Sequence, residues 1–226
     1  MLNSGVQEAK KENNMRKVLV IVTMMLTVCV TAFGQEDGLI GKESPKQEYS
    51  DWANINIQWN PCALVPEKGD SKSFTGLSIG VESCGSLSGK KTTPFFGEFG
   101  IGLQYSFDST NGVDFSMFSA KLNVGVGYDI LIPNTPIALM PHAGLDCSFI
   151  FSAKSKGNGY TIDHFSADDM GGDDYKWDKM PIGWYAGIKA KVQDKVIIGF
   201  KYGMDFTELT KGVHMQTMTV SLGLCI

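Results

Sequence analysis

Arginine is all but missing from this chain. Of its 20 basic residues only Arg16 is an arginine, and it lies close to the N-terminus. The planar fork favoured for phosphates and base edges is therefore absent from the rest of the chain, which excludes nucleic acid as an expected partner. Histidine is scarce too, with only His142, His164 and His214. The five cysteines show neither CxxC spacing nor a histidine pair beside them, so no zinc site, and no cofactor motif, is read here. After residue 34 no apolar run approaches the roughly 20 residues that a membrane helix needs.

The N-terminus is where an apolar run does occur. Met15-Arg16-Lys17 makes a basic start, Val18 to Val30 an apolar core, and Thr31-Ala32-Phe33-Gly34 a small-x-small cleavage site before Gln35. Residues 1–34 are thus expected to be a secretory signal peptide, with Met15 as an alternative start. Val28 before Cys29 is too bulky for a lipoprotein signal. The signal segment holds Lys10, Lys11, Arg16 and Lys17 against Glu8 and Glu12, so the remainder has 16 basic and 22 acidic side chains and is acidic.

Residues 35–51 are polar, with Gly38, Gly41 and Pro45, and are expected to form a flexible periplasmic lead-in. From residue 52 to 226 the dominant signal is alternation with period two, the mark of strands with one apolar face. Phe99, Ile101, Leu103, Tyr105 and Phe107 alternate with glycine, glutamine and serine. Phe118, Ala120, Leu122, Val124, Val126, Tyr128 and Ile130 alternate with Ser119, Lys121, Asn123, Gly125, Gly127 and Asp129. Similar patterns occupy 137–151, 182–192, 196–206 and 218–226, and a rougher pair precedes them at Ile55, Ile57, Trp59 and Leu77, Ile79, Val81. Eight strands are expected. Several are longer than the usual five or six residues of globular strands and suit a tilted crossing of a bilayer. Their second face is polar and glycine-rich, as expected when the interior is polar and the outside meets lipid.

Connections largely agree with this reading, the exception being the internal link Gly85 to Thr93, which is longer than a tight turn. Pro133-Asn134-Thr135-Pro136 and Gln193-Asp194-Lys195 are short, and the segment 152–180 is long, so the first two belong on the periplasmic side and the third outside the cell. Tyr105, Phe107, Trp184, Tyr202 and Phe206 fall near external strand ends and Tyr128 near a periplasmic one, where amphipathic rings settle at lipid–water boundaries.

In Gly97–Phe107, Leu122–Ile130, Pro133–Leu145 and Met218–Ile226 the chain resembles the small outer-membrane β-barrels of the OmpA and OmpX type, including those of the Bacteroidetes. The likeness covers roughly residues 52 to 226. It implies an all-β, eight-stranded antiparallel up-and-down transmembrane barrel in the outer membrane, with lipid around it and the outer-membrane assembly machinery as its partner during biogenesis. Members usually end on an aromatic residue, where this chain has Ile226.

Eight strands leave an interior just wide enough for side chains to fill. Pairing strands four and five across a four-residue turn sets Lys121 opposite Asp146, with Glu98 diagonally beside Lys121 and Lys201 near mid-height. A charge network of Glu98, Lys121, Asp146 and Lys201 is therefore expected to plug the lumen. In the external loop, Asp168, Asp169, Asp173 and Asp174 form a candidate cation site, although their spacing is not that of an EF-hand. Asp163 beside His164, or His142 in the lumen, would be the bases of a hydrolase, but no nucleophile motif accompanies them and no enzyme is expected. Cys62 and Cys84 sit at opposite ends of one hairpin and should not pair. Cys84 and Cys225, near one end, are the one candidate bridge.

The expected function is a structural or surface-interaction scaffold presenting the loop 152–180 to an extracellular partner. The alternatives are a narrow small-solute channel, an outer-membrane hydrolase, and a secreted barrel of lipocalin type with its apolar faces turned inward around a ligand.

Overall fold

Alternation of apolar and polar residues over long stretches produces strands here almost without exception. A computed structural model describes residues 51–87, 93–110, 112–157 and 159–226. The expected signal peptide, and the expected lead-in up to residue 50, lie outside the described residues. The strands are β1 (Trp52–Pro66), β2 (Lys72–Ser86), β3 (Phe95–Thr110), β4 (Val113–Tyr128), β5 (Ile130–Leu131), β6 (Ile137–Gly157), β7 (Tyr160–Asp163), β8 (Ile182–Val192), β9 (Val196–Asp205) and β10 (Val213–Cys225).

Every long strand pairs antiparallel with its neighbour in sequence, and β1 pairs with β10. The sheet is therefore closed, and β1, β2, β3, β4, β6, β8, β9 and β10 form an eight-stranded ring. Closure leaves no long strand edge, which a bilayer demands because unpaired backbone groups cost several kcal/mol each in hydrocarbon. The mini-strand β5 continues the β4–β6 hairpin, and β7 folds back on the top of β6.

Large apolar side chains point outward. Ile57 is 59% exposed and Phe151 60%, and Ile79, Ile101, Leu103, Val126, Leu145, Ile198, Val220 and Leu222 are exposed as well. Such a continuous outer belt belongs against lipid, and it overturns the lipocalin reading, in which these faces line a ligand cavity. Aromatic rings complete the belt: Tyr105 stacks on Phe107 at 6.0 Å, Trp184 meets Tyr202 at 5.9 Å, and Phe95 meets Tyr128 at 4.9 Å.

Inside, the barrel is layered. Trp52, Cys84, Phe96, Met140 and Ile197 pack together at the end that holds the start of β1. Cys62, Phe74, Met117, Ile150, Ala153, Trp177, Leu209 and Met215 pack together at the other end. Polar and charged side chains fill the space between.

The segment 152–180, expected as a long external loop, is largely ordered by its own contacts. β6 continues to Gly157 and returns as β7, and the chain then forms a lid over the barrel mouth. A short helix, α1 (Ala167–Met170), is capped by Ser166, whose Oγ accepts from Asp169 N at 3.3 Å, and ends at Gly171 with φ 81°. Trp177 N donates to His164 O at 2.8 Å and Asp178 N to Leu209 O at 2.6 Å, while Ile150 N and Ser148 N donate to the carbonyls of Lys179 and Pro181. The lid thus begins and ends on the edge of β6.

All four described cysteines are free. Cys84 pairs with Trp52 and Cys225 with Asn54 on opposite sides of β1. A strand between them sets their backbones about 10 Å apart, two strand spacings, beyond the roughly 7 Å a disulfide spans. The expected Cys84–Cys225 bridge is not formed.

Candidate functional site

Two places gather chemistry: the polar layer of the lumen and the lid above it. Inward positions of β1 are amides at every second residue. Gln58 Nε2 donates to Asn56 Oδ1 and Asn56 Nδ2 to Asn54 Oδ1, both at 2.7 Å. Asn60 joins through Ser78 at 2.8 Å and Thr219 at 2.7 Å. This ladder pairs buried polar groups with one another along the wall, as a water-poor interior requires, and leaves only Asn54 Nδ2 at its end without a partner.

The charged centre is built on Glu98, which is buried on β3. Its Oε1 accepts from His142 Nδ1 at 2.8 Å and from the Tyr185 hydroxyl at 2.5 Å, and its Oε2 accepts from Lys189 Nζ at 2.7 Å. Lys189 also donates to Glu82 Oε1 and lies over the Trp52 ring at 5.6 Å. Four strands, β2, β3, β6 and β8, are tied together by this one cluster. Glu82, Cys84 and Glu98 form the one group among the described residues whose ligand atoms lie within 4.8 Å of one another, and the ammonium of Lys189 already bonds both carboxylates.

Register corrects the expected network. Lys121 pairs with Ser148 across β4–β6, not with Asp146, and Asp146 pairs with Asn123. Glu98 pairs with Gly125 and Lys121 with Gly102, so these two are four rows apart rather than diagonal. Lys121, Asp146 and Lys201 instead line a cavity of about 30 Å³ with Asn56, Gln58 and Asn123, room for about two waters. Lys201 Nζ lies over the Tyr185 ring at 5.0 Å. Glu82, His142, Tyr185 and Lys189 were not anticipated as members of the network. Each sits on the polar face of an alternating strand, so parity could have placed them inside, but only the pairing register could bring them together.

Room for Tyr185 comes from missing side chains. A Cβ on Gly144 would lie 2.2 Å from Val124 O and 2.6 Å from the Tyr185 hydroxyl. Gly144→Ala is expected to cost about 1–3 kcal/mol by overpacking the β4–β6 seam, measured as urea unfolding of the micelle-embedded protein. Gly85→Ala, with only Asp51 at 3.6 Å, should stay within about 0.5 kcal/mol of the parent.

On the lid, the four candidate cation ligands are dispersed. Asp169 Oδ2 accepts from Asp163 N at 2.9 Å, Asp173 pairs with Lys176 at 2.8 Å, Asp174 pairs with Lys211 at 3.2 Å, and Asp168 is exposed in the first turn of α1. No three of them share a site, so the expected cation-binding loop is not assembled. Asp163 does not orient His164 either, since its Oδ1 accepts from Phe165 N at 3.0 Å and its Oδ2 faces Lys154 at 3.9 Å. His164 instead bonds Ser155 Oγ through Nε2 at 2.8 Å and stacks on Trp177 at 4.4 Å. Burial holds this imidazole below the ordinary histidine range; Asp163 opposes that, and Lys72 adds to it. His214 lies at the start of β10.

Closed sheet, lipid-facing belt and filled interior define an eight-stranded outer-membrane-type β-barrel. No protein-family model matches the chain, and no curated protein does. Among solved structures it is similar to Ail, the attachment invasion locus protein of Yersinia pestis, at 12% identity over 79% of this chain and 99% of that one, with a TM-score of 0.49. It is also similar to Neisserial surface protein A, at 11% identity over 76% and 96% with a TM-score of 0.48, and to the outer membrane enzyme PagL, at 11% over 74% and 97% with a TM-score of 0.41.

Proposed function

We propose that this protein is a non-conducting outer-membrane scaffold whose seated lid is its external working surface. The observation that carries the reading is Trp177, which is 6% exposed and packs with Leu209, Met215, Phe74 and Ile150 across the external mouth. A loop used only to line a passage has no reason to drive its largest apolar side chain into that passage. The second apolar cluster at the opposite end and the interleaved charges between them support the same reading. What the lid then offers outward is a fixed surface with Tyr160, Ile162, Tyr175 and Met180 exposed, Tyr160 by 79%. Exposed aromatics on a rigid support are suited to a protein or glycan partner outside the cell.

The reading assigns no catalytic step. His142 gives its Nδ1 to Glu98, and His164 has no carboxylate on its Nδ1 to orient it toward Ser155. In planar bilayers the purified, folded protein is expected to give no steady conductance. Sustained, ion-selective current steps would sink the scaffold in favour of a channel.

A further inference from the structure

The lid is fastened to the barrel by a histidine whose second nitrogen has nowhere to put a proton. His164 sits between the ring of Trp177, stacked at 4.4 Å, and the ring of Phe115, edge-on at 5.9 Å. Its backbone closes the lid twice, through His164 N to Ala153 O at 3.0 Å and Trp177 N to His164 O at 2.8 Å. Nε2 meets Ser155 Oγ at 2.8 Å, but Nδ1 is buried with no hydrogen-bond partner. The neutral ring tolerates this arrangement, since Nε2–H can donate to the serine and Nδ1 is left only a lone pair. The protonated ring does not, because Nδ1–H then becomes a buried cationic donor without an acceptor.

We infer that His164 is an acid-sensitive latch, and that its protonation unseats the lid and exposes Trp177 and the apolar mouth of the barrel at the cell surface. The groups facing the ring are few. Asp163 from β7 favours the cation and Lys72 from β2 disfavours it, β4 presents Phe115, the lid presents Trp177, and β6 presents Ser155. Trp177's ring face attracts a cation, and so does Asp163, yet neither accepts a hydrogen bond from Nδ1: Asp163 Oδ1 is taken by Phe165 N, and its Oδ2 faces Lys154. The released ring has the ordinary affinity for a proton, with a pKa near 6.5, and the seated ring a lower one. Closure is therefore complete above about pH 6.5 and weakens as pH falls toward the lower value of the seated ring. One proton is involved, so the closing equilibrium loses at most about tenfold per pH unit. Of the carboxylates that tie the lid elsewhere, Asp173 bonds Lys176, which holds its carboxyl below the usual carboxylate range, and Asp174 bonds Lys211. Comparison with a variant that lacks only the His164 proton site separates this titration from that of other groups.

This latch requires only that the lid be seated, not that the lid have a partner, so it can fail while the scaffold reading stands. The test is hydrogen exchange of the folded, full-length protein in micelles at about pH 7.5 and 5.5, corrected for intrinsic rates. The Trp177 and Asp178 amides report the lid, and amides of the β4–β6 seam serve as the internal reference. The expected result is a loss of protection at Trp177 and Asp178 in acid, with the seam unchanged, and no such loss in His164→Phe, which keeps a flat ring but no proton site. Should the phenylalanine variant leave the lid unprotected even at the higher pH, His164→Gln, which keeps a donor to Ser155, decides by the same criterion. Protection that does not change with pH in the parent protein overturns the latch, and so does an equal acid loss in the variant that seats its lid.

Discussion

Glu98→Ala is expected to cost this protein about 3–5 kcal/mol of stability, the range for breaking a buried charge pair by removing one partner. The glutamate accepts from three donors on two strands, His142 on β6 and Tyr185 and Lys189 on β8. Truncation leaves Lys189 with Glu82 alone and strands a phenol and an imidazole in the lumen without an acceptor. Glu98→Gln should fall between the variant and the parent, because a carbonyl oxygen still serves Tyr185 while the charge is lost. The combination Glu82→Gln, Glu98→Gln and Lys189→Met removes the ions together and should recover much of the loss, since the cost lies in the unpaired charge and not in the absence of the pair. Reversible urea unfolding in micelles, followed by tryptophan fluorescence, gives all three values. A Glu98→Ala protein within about 1 kcal/mol of the parent would show that the cluster contributes nothing to closure.

Trp177→Ala should have an effect of similar size in a different place. Truncating a buried tryptophan costs about 3–5 kcal/mol, and here the loss falls on the seating of the lid, because Trp177 lies outside the eight strands of the ring. The lid joins the barrel through the Lys179 and Pro181 carbonyls on β6 and the bonds of Asp178 and His164. A loss of that size shifts the seated-to-released ratio by a hundredfold or more. Trypsin cleavage at Lys176 and Lys179 should accelerate accordingly, while the heat-modifiable migration of the folded barrel on gels is retained. Unchanged resistance would mean that the lid is held by its backbone bonds alone. Loss of the folded band would mean that the barrel cannot close without its plug.

Much of the barrel was legible because its cause is local. In a bilayer each strand must present apolar side chains outward, so residues such as Ile101, Leu103 and Val126 announce both the strand and its lipid face. The lumen network was less legible. The β4–β6 turn is the four-residue Pro133–Pro136 that the sequence marks, closed between Ile132 and Ile137, and counting back from it sets Lys121 opposite Ser148, two residues from Asp146. A slip of two residues leaves every side chain on its own face, so alternation cannot detect it, yet it moves a partner by roughly 7 Å along the strand. That slip sets Lys121 opposite Ser148 and Asp146 opposite Asn123.

The lid shows the same limit more sharply. Phe149 and Phe151 both face lipid, and unbroken alternation would send Ala153 and Ser155 outward as well. A bulge in β6 opposite Phe118 and Ser119 inserts one residue, turns Ala153 inward as 0% exposed, and brings Ser155 beneath His164. Nothing in the local pattern marks this step.

The sequence by itself determined the strands, their number, their lipid-facing sides and the polarity of the interior, because each follows from the period of one strand in an apolar solvent. Only the tertiary structure decided which inward charges meet, where the acidic loop goes and which histidine holds it. Those depend on register and on one bulge, both set by how neighbouring strands and turns fit together rather than by any strand alone.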